Sequence, residues 1–187
     1  MAIEEIQKFK ILNRLKSVYR ANSVDNRKES AAEHTWSALM LADYYSSMVS
    51  LDLDMLRVYE LLMYHDVVEI VVGDTPLDPN NEAKDQQIKE LKAAETLRNE
   101  LPDSLQSKYW ELFTEFEAEQ TVEARFAKAI DTLDAVIHEL DYKEDWAGWS
   151  KEFLVSKKEK HFKAFPKLLK EFHQIVDYMV AEGYFSQ

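Results

Sequence analysis

The sequence predicts an all-α fold, a compact bundle of about six to eight helices. Its 187 residues contain three glycines and four prolines, which leaves little material for the tight turns of β-hairpins. Apolar residues also recur at the spacing of one helical face along most of the chain. The length suits a single domain over residues 1–187 with a sizeable core.

One polar segment separates the first two predicted helices. Residues 20–29, RANSVDNRKE, are polar and aperiodic and are predicted to be a loop. Ser30 and Glu33 match the S-x-x-E capping box, in which each side chain accepts a backbone amide of the other residue, so a helix is predicted from Ser30 to about Val49. The helix before the loop, within 3–19, carries an apolar stripe of Ile3, Ile6, Phe9, Leu12, Leu15 and Val18.

The rest of the chain also shows mainly helical patterns. A helix is predicted over about 53–71, ending near Gly73. Segment 74–83, DTPLDPNNEA, is rich in Pro, Asp and Asn and is predicted to be a loop. Thr121 is expected to cap a long helix that runs to about Tyr142. Further helices are predicted over about 83–100, 103–117 and 150–182, the last interrupted near Pro166 and closed by Gly183.

Composition excludes several classes of function. A net charge of −12 argues against general nucleic-acid binding, which needs a basic surface. The chain has no cysteine, which rules out thiolate zinc sites and cysteine nucleophiles and fits the cytoplasm. The segment 1–16 lacks the apolar core of a signal peptide, and no apolar run approaches the roughly 18 residues of a membrane span. We therefore expect a cytoplasmic protein without nucleic-acid or membrane partners.

The stretch LLMYHDVVEIVVGD, residues 61–74, places several ionisable groups in an apolar run. A buried charge is costly unless it is paired or bound to a metal. Adjacent helical residues point about 100° apart, so His65 and Asp66 can flank one ion, and Glu69 lies one turn further along the same side. Asp74 follows a glycine at which the chain can turn back. The alternative is the polar face of an amphipathic helix, although the stretch is apolar on nearly all sides.

Two other places carry candidate metal ligands. His34 falls in the first turn of the helix capped by Ser30. Asp131 and Asp134 lie three residues apart on an otherwise apolar helix. Solvent exposure explains one of these acids simply, whereas a metal site explains the other better. Lys128 can instead pair with Asp131.

The other three histidines are interpreted as structural. His161 and His173 lie in a Lys/Glu-rich region, and His138 is expected to be a hydrogen-bonded core histidine. No histidine follows a glutamate by three positions, which argues against a ferritin-type di-metal site. The HExxH pattern of metallopeptidases is also absent.

Three segments together resemble the HD-domain metal-dependent phosphohydrolases. ESAAEHTWSALMLA resembles the first metal-binding segment of that family. YHDVVEIVVGDTP is similar to the form HDxxExxxGD of its 5′-nucleotidase branch, and LPDSLQSKYWELFTEFEAEQTVEARFAKAIDTLDAVI resembles a later segment of the same branch. The resemblance is strongest over about residues 10–142 and implies the helical bundle of an HD domain. After about Ser150 it becomes loose.

The resemblance implies roles for individual residues. Arg20 is the best match for an arginine that holds the phosphate, with Arg14 and Arg27 as competitors. Ala21 stands where the branch often has a tryptophan. The catalytic acids implied are Glu69 and Asp74, and the metal ligands implied are His34, His65, Asp66 and Asp131.

The resemblance also implies a reaction. The expected substrates are small molecules, (deoxy)nucleoside 5′-monophosphates, hydrolysed with one divalent metal ion. Mixed His and Asp ligation suits Mn, Co, Fe, Ni or Zn better than Ca, and Mg remains open. The alternatives are hydrolysis of dNTPs or other phosphate esters, and a non-catalytic, metal-stabilised helical binding module. Since the branch often forms dimers through helical faces, a homodimer is one alternative for the oligomeric state.

Overall fold

The computed structural model describes residues 3–77 and 86–185, and this part of the chain is mainly helical. The predicted all-α fold is confirmed, with one small hairpin added. The α-helices are α1 (Ile3–Phe9), α2 (Ala31–Ser46), α3 (Met55–Tyr64), α4 (Glu69–Val72), α5 (Gln86–Glu100), α6 (Asp103–Ala118), α7 (Val122–His138), α8 (Lys151–Lys158) and α9 (Pro166–Ala181). The 3₁₀ helices are Lys10–Ser17, His65–Val68, Glu139–Asp141, Lys143–Trp146 and Glu159–Phe162. Part of the predicted loop at 74–83, and the predicted helix start at 83, lie outside the described residues.

The segment 20–29 was wrongly predicted to be a loop, because it forms an antiparallel hairpin of β1 (Tyr19–Val24) and β2 (Arg27–Ser30). Asp25 adopts a φ of 49° in the turn, a left-handed conformation that Asp tolerates better than most residues. The inward-facing side chains are polar, since Asn22 and Glu29 are buried. A hairpin that buries polar groups lacks the apolar alternation by which strands are recognised in a sequence.

The predicted capping box sets the start of α2. Ser30 Oγ accepts a hydrogen bond from the Glu33 amide at 3.3 Å, and Glu33 Oε2 accepts one from the Ser30 amide at 2.9 Å. These bonds satisfy backbone donors that have no partner within the helix. The helix ends at Ser46, slightly earlier than predicted. The cap places His34 in the first turn, where it is fully buried.

Replacing Ser30 with alanine is expected to lower the free energy of unfolding by about 1 kcal/mol, because the Glu33 amide loses its acceptor. Urea unfolding followed by circular dichroism measures this difference. Ser107→Ala is the matched control, since Ser107 is exposed inside α6, where alanine is a good helix former. Equal unfolding midpoints for the two variants would contradict a stabilising role of the cap.

The helix predicted over about 53–71 is not continuous. It is divided into α3, the 3₁₀ turn His65–Val68 and α4. In a 3₁₀ helix the side chains at positions i and i+3 eclipse, so Asp66 and Glu69 lie on the same side of the turn. Gly73 ends α4 with a φ of 74°, which favours glycine and turns the chain as predicted.

Helix α7 is the centre of the buried core. Thr121 caps it as predicted, with its Oγ1 accepting from the Ala124 amide at 3.1 Å. The helix contacts α2, α3 and α6, and most of its residues are buried. The chain after it returns through α8 and α9, and Pro166 begins α9 where the predicted interruption lies. Because α2 and α3 lie against α7, His34 and the end of α3 come close to Asp131. None of the described helices is long and apolar enough to cross a membrane.

Candidate active site

The two buried histidines point the same ring nitrogen toward one place. His34 Nδ1 donates to Asp134 Oδ2 at 2.8 Å, and His65 Nδ1 donates to the carbonyl of Leu62 at 2.6 Å. When each ring is neutral, a donating Nδ1 leaves Nε2 as an acceptor whose lone pair can bind a cation in place of a proton. The two Nε2 atoms lie 3.4 Å apart. Two lone pairs that converge at this distance suit a shared cation.

Two carboxylates complete this cluster. Asp131 Oδ1 lies 3.0 Å from His34 Nε2 and 3.7 Å from His65 Nε2. Asp66 Oδ1 lies 3.0 Å from His65 Nε2. Two ligands at about 2.1 Å from one ion are themselves roughly 3.0–3.4 Å apart, so these spacings fit a single divalent cation. His34, His65 and Asp66 each offer a ligand atom within 4.8 Å of the others.

The electrostatic field in the cluster favours positive charge. Burial and the charge of Arg20 oppose protonation of His34, but its hydrogen bonds to Asp131 and Asp134 outweigh them and raise its pKa to about 10. The carboxylates that stabilise a proton on this ring are equally suited to a metal ion in its place. The donor set and its charge therefore fit a divalent metal.

Asp134 is a functional candidate that the sequence reasoning missed. Solvent exposure was expected to explain one of the two aspartates on α7, but Asp134 is 5% exposed and that explanation is wrong for it. Its Oδ2 accepts from His34 Nδ1 at 2.8 Å and from Ser37 Oγ at 2.7 Å. It therefore fixes the tautomer and direction of the His34 ring, as carboxylates behind metal-binding histidines do.

Asp131 has contacts that fit both roles considered for it, an ion pair with Lys128 and a metal ligand. Its Oδ2 is 3.6 Å from Lys128 Nζ, which is the predicted alternative pairing. Its Oδ1 faces the two histidines instead. The ion pair and a metal-ligand role therefore use different oxygens of the same carboxylate and are compatible.

Glu69 and Asp74 lie beside the cluster. Glu69 Oε2 is buried and has no hydrogen-bond partner among the described residues. Burial, followed by the charges of Asp66 and Asp74, raises the pKa of Glu69 to about 9. Burial also raises the pKa of Asp74, although Arg20 opposes the increase. A buried carboxyl oxygen without a partner is unusual in native proteins, which makes Glu69 a candidate to contact a ligand.

The three candidate arginines differ in their positions. Arg20, on β1, has a side chain only 12% exposed, and its Nη1 lies 3.5 Å from Asp66 Oδ2. Its Nε is 3.3 Å from Glu29 on β2. Glu29 is buried, which the loop predicted for residues 20–29 did not indicate. Arg14 instead donates to the carbonyl of Ile70, and exposed Arg27 pairs with Glu33. Arg20 is thus the arginine that the fold brings beside the cluster.

The remaining histidines lie away from the cluster's ligand atoms. The hydrogen bond predicted for His138 is present, at 2.7 Å to the carbonyl of Ser23, but the side chain is 21% exposed rather than in the core. His173 is exposed and lies 2.9 Å from Glu159. His161 is partly buried, 3.4 Å from Glu119.

An open cavity adjoins the cluster. Its volume is about 440 Å³, which lies in the range of small-molecule sites. Arg20 and Asp74 form part of its wall, so the cavity reaches the candidate catalytic groups. The lining also includes Ala135, Glu139, Trp149 and Lys158.

Known proteins resemble this chain in sequence and in fold. The chain is 30% identical to the 5′-deoxynucleotidase HDDC2 of Xenopus laevis over 144 residues, which are 74% of this chain and 69% of that protein. It is 28% identical to the 5′-deoxynucleotidase YfbR of Escherichia coli over 155 residues, 80% of this chain and 77% of that protein. The crystal structure of a predicted metal-dependent phosphohydrolase from Magnetospirillum magnetotacticum MS-1 superposes with a TM-score of 0.87 at 29% identity, over 99% of this chain and 95% of the other.

The family model described as HD domain matches residues 12–169. The match confirms the resemblance seen over residues 10–142 and extends it past Ser150, where the sequence patterns alone were too loose to follow. Because most of the chain is matched and the fold agrees, the chain belongs to the HD domain family.

Proposed function

We propose that this HD-domain hydrolase removes phosphate from (deoxy)nucleoside 5′-monophosphates with the help of a divalent metal ion. The observation that carries the proposal is the convergence of His34 Nε2 and His65 Nε2 on two aspartates. Supporting it, two relatives of the chain are named 5′-deoxynucleotidases. The phosphohydrolase from Magnetospirillum magnetotacticum MS-1 is named as metal-dependent.

His34, His65, Asp66 and Asp131 are the residues proposed to hold the metal. Their mixture of imidazole and carboxylate donors suits Mn, Co, Fe, Ni or Zn, and Mg is also retained as a candidate. When bound, such an ion lowers the pKa of water and stabilises charge on phosphoryl oxygens. Asp134 holds the His34 ring in the direction that this ligation needs.

The chain's other groups are proposed to bind phosphate and move protons. Arg20 faces the phosphoryl oxygens with its guanidinium. Water attacks phosphorus, and the bond from phosphorus to the 5′-oxygen breaks. Of the two acids Glu69 and Asp74, one accepts a proton from the attacking water and the other donates a proton to the leaving 5′-oxygen.

The cavity beside Arg20 is the proposed position of the nucleoside. At about 440 Å³ it is large enough for a nucleoside-sized ligand. Trp149 lies in its wall and offers an aromatic face to a base. This tryptophan follows the segment of strongest resemblance, and it faces the same cavity as Ala21, which replaces the tryptophan common in the branch.

Wild-type protein loaded with each candidate metal is expected to release phosphate from a panel of deoxynucleoside 5′-monophosphates. Released phosphate is measured colorimetrically, and the same protein treated with a chelator is the control. Faster hydrolysis of dNTPs or of simple phosphate esters would favour the alternative substrates. Bound metal without release from any of these compounds would contradict an enzyme and favour the binding module.

A further inference from the structure

A second cavity beside the cluster is lined mainly by basic residues. Its volume is about 300 Å³, and Asp131 and Arg20 form part of its wall, so it opens onto the candidate active site. Such a concentration of positive charge is unexpected in a chain with a net charge of −12. The basic residues and histidine in its lining are Arg20, Lys128, Lys157, Lys158, Lys160 and His161.

The cations closest to the cluster are already balanced by carboxylates. Arg20 lies 3.3 Å from Glu29 and 3.5 Å from Asp66. Lys128 lies 3.6 Å from Asp131, with its Nζ 4.5 Å from the centre of the Phe116 ring. A divalent ion held by the same two aspartates brings the positive charge of this group to one more than its three carboxylates carry, and a phosphate dianion exceeds that surplus by one charge. A phosphate dianion that enters this site therefore needs a further cation.

Lys158 is the cation that meets this need. It is the last residue of α8 and is partly buried, and it lines both the basic cavity and the larger cavity beside Arg20. Its Nζ makes no hydrogen bond or ion pair within 4.0 Å with the residues described at 3–77 and 86–185. Burial lowers its pKa, although Glu139 and Asp131 attract the charged form. An ammonium group that lines both cavities and has no partner among these residues is placed to bind an anion that lies between them.

We propose that Lys158 is a phosphate-binding residue of the active site, and that its Nζ contacts the phosphoryl oxygens opposite Arg20. This inference rests on the proposed phosphohydrolase function. It gives α8 a part in binding, although α8 lies outside the segment of strongest resemblance. The competing explanation is a structural one, in which Lys158 only balances the charge of Glu139, which lines the larger cavity with it.

The test compares Lys158→Met with Lys158→Arg in the metal-loaded protein, using inorganic phosphate as the probe. We expect Lys158→Met to raise the Kd for phosphate by about 10- to 100-fold in calorimetric titration, because a charge-assisted hydrogen bond is lost. Lys158→Arg keeps the charge and is expected to recover most of the affinity. Lys163→Met is the matched control, since Lys163 is exposed in the chain just after α8 and lines neither cavity.

Turnover separates this inference from the proposed function. With a deoxynucleoside monophosphate that the wild type hydrolyses, Lys158→Met is expected to raise KM by the same factor as the phosphate Kd and to change kcat less. Wild-type phosphate affinity in Lys158→Met, or no phosphate binding by the wild type, would overturn the role of Lys158. Lys158-dependent phosphate binding without hydrolysis of any nucleotide would support the lysine site and contradict the nucleotidase.

Discussion

Replacing Asp66 with asparagine is expected to remove both metal binding and phosphate release. The carboxylate lies 3.0 Å from His65 Nε2 through Oδ1, and its Oδ2 lies 3.5 Å from Arg20 Nη1. Loss of a residue that only orients a ligand reduces metal affinity by about 10- to 100-fold, so loss of a charged ligand should cost more than about 100-fold. Calorimetric titration with Mn²⁺ and elemental analysis of the purified protein measure this loss.

The control for this prediction is Asp52→Asn. Asp52 is exposed, and its replacement by asparagine removes the same formal charge from the chain. Thermal unfolding of both variants establishes whether Asp66→Asn still folds, because its amide keeps the volume of the carboxylate but leaves Arg20 with one partner fewer. A folded Asp66→Asn that binds Mn²⁺ as tightly as Asp52→Asn would show that Asp66 is not a metal ligand.

Features whose cause is local in the sequence were predictable. Ser30 and Thr121 cap their helices through hydrogen bonds to amides three residues away, so each cap depends only on a few neighbouring residues. Gly73 turns the chain with a positive φ that its neighbours do not adopt. The approach of His65, Asp66 and Glu69 is likewise local, and it holds even though the turn is 3₁₀ rather than α-helical.

Features that depend on distant partners were not predictable in the same way. Asp134 meets His34 from 100 positions away, and a spacing of three residues on a helix does not say which aspartate faces inward. Glu29 and Arg20 are buried on a hairpin whose polar pattern resembles a loop. Burial of these two charged residues is tolerated because Arg20 pairs with Glu29 and with Asp66, contacts that only the folded chain provides. Lys158 depends on how α8 packs, and no local pattern contains that packing.

Replacing Glu69 with glutamine is expected to separate metal binding from proton transfer. Glu69 Oε2 is buried without a hydrogen-bond partner among the residues described, and the side chain is not in the set of histidine and aspartate atoms that converge. Glutamine keeps the size of the side chain but cannot gain or lose the proton. We therefore expect kcat to fall by about 10²- to 10⁴-fold, the usual contribution of a positioned acid or base. KM and bound metal are expected to remain near the wild-type values.

The comparison with Asp66→Asn distinguishes loss of proton transfer from loss of metal. Both variants should lose activity, but only Asp66→Asn should lose metal. Of the two side chains, Asp66 is the one whose oxygen lies beside a histidine Nε2, at 3.0 Å, where both atoms can bind one ion. Glu95→Gln is the matched control, since Glu95 is exposed on α5 and receives the same chemical substitution. Loss of metal from Glu69→Gln would place Glu69 among the ligands, and an unchanged kcat would exclude it from proton transfer. Either result would remove Glu69 from the pair of proposed acids and leave Asp74, which the same measurement on Asp74→Asn tests.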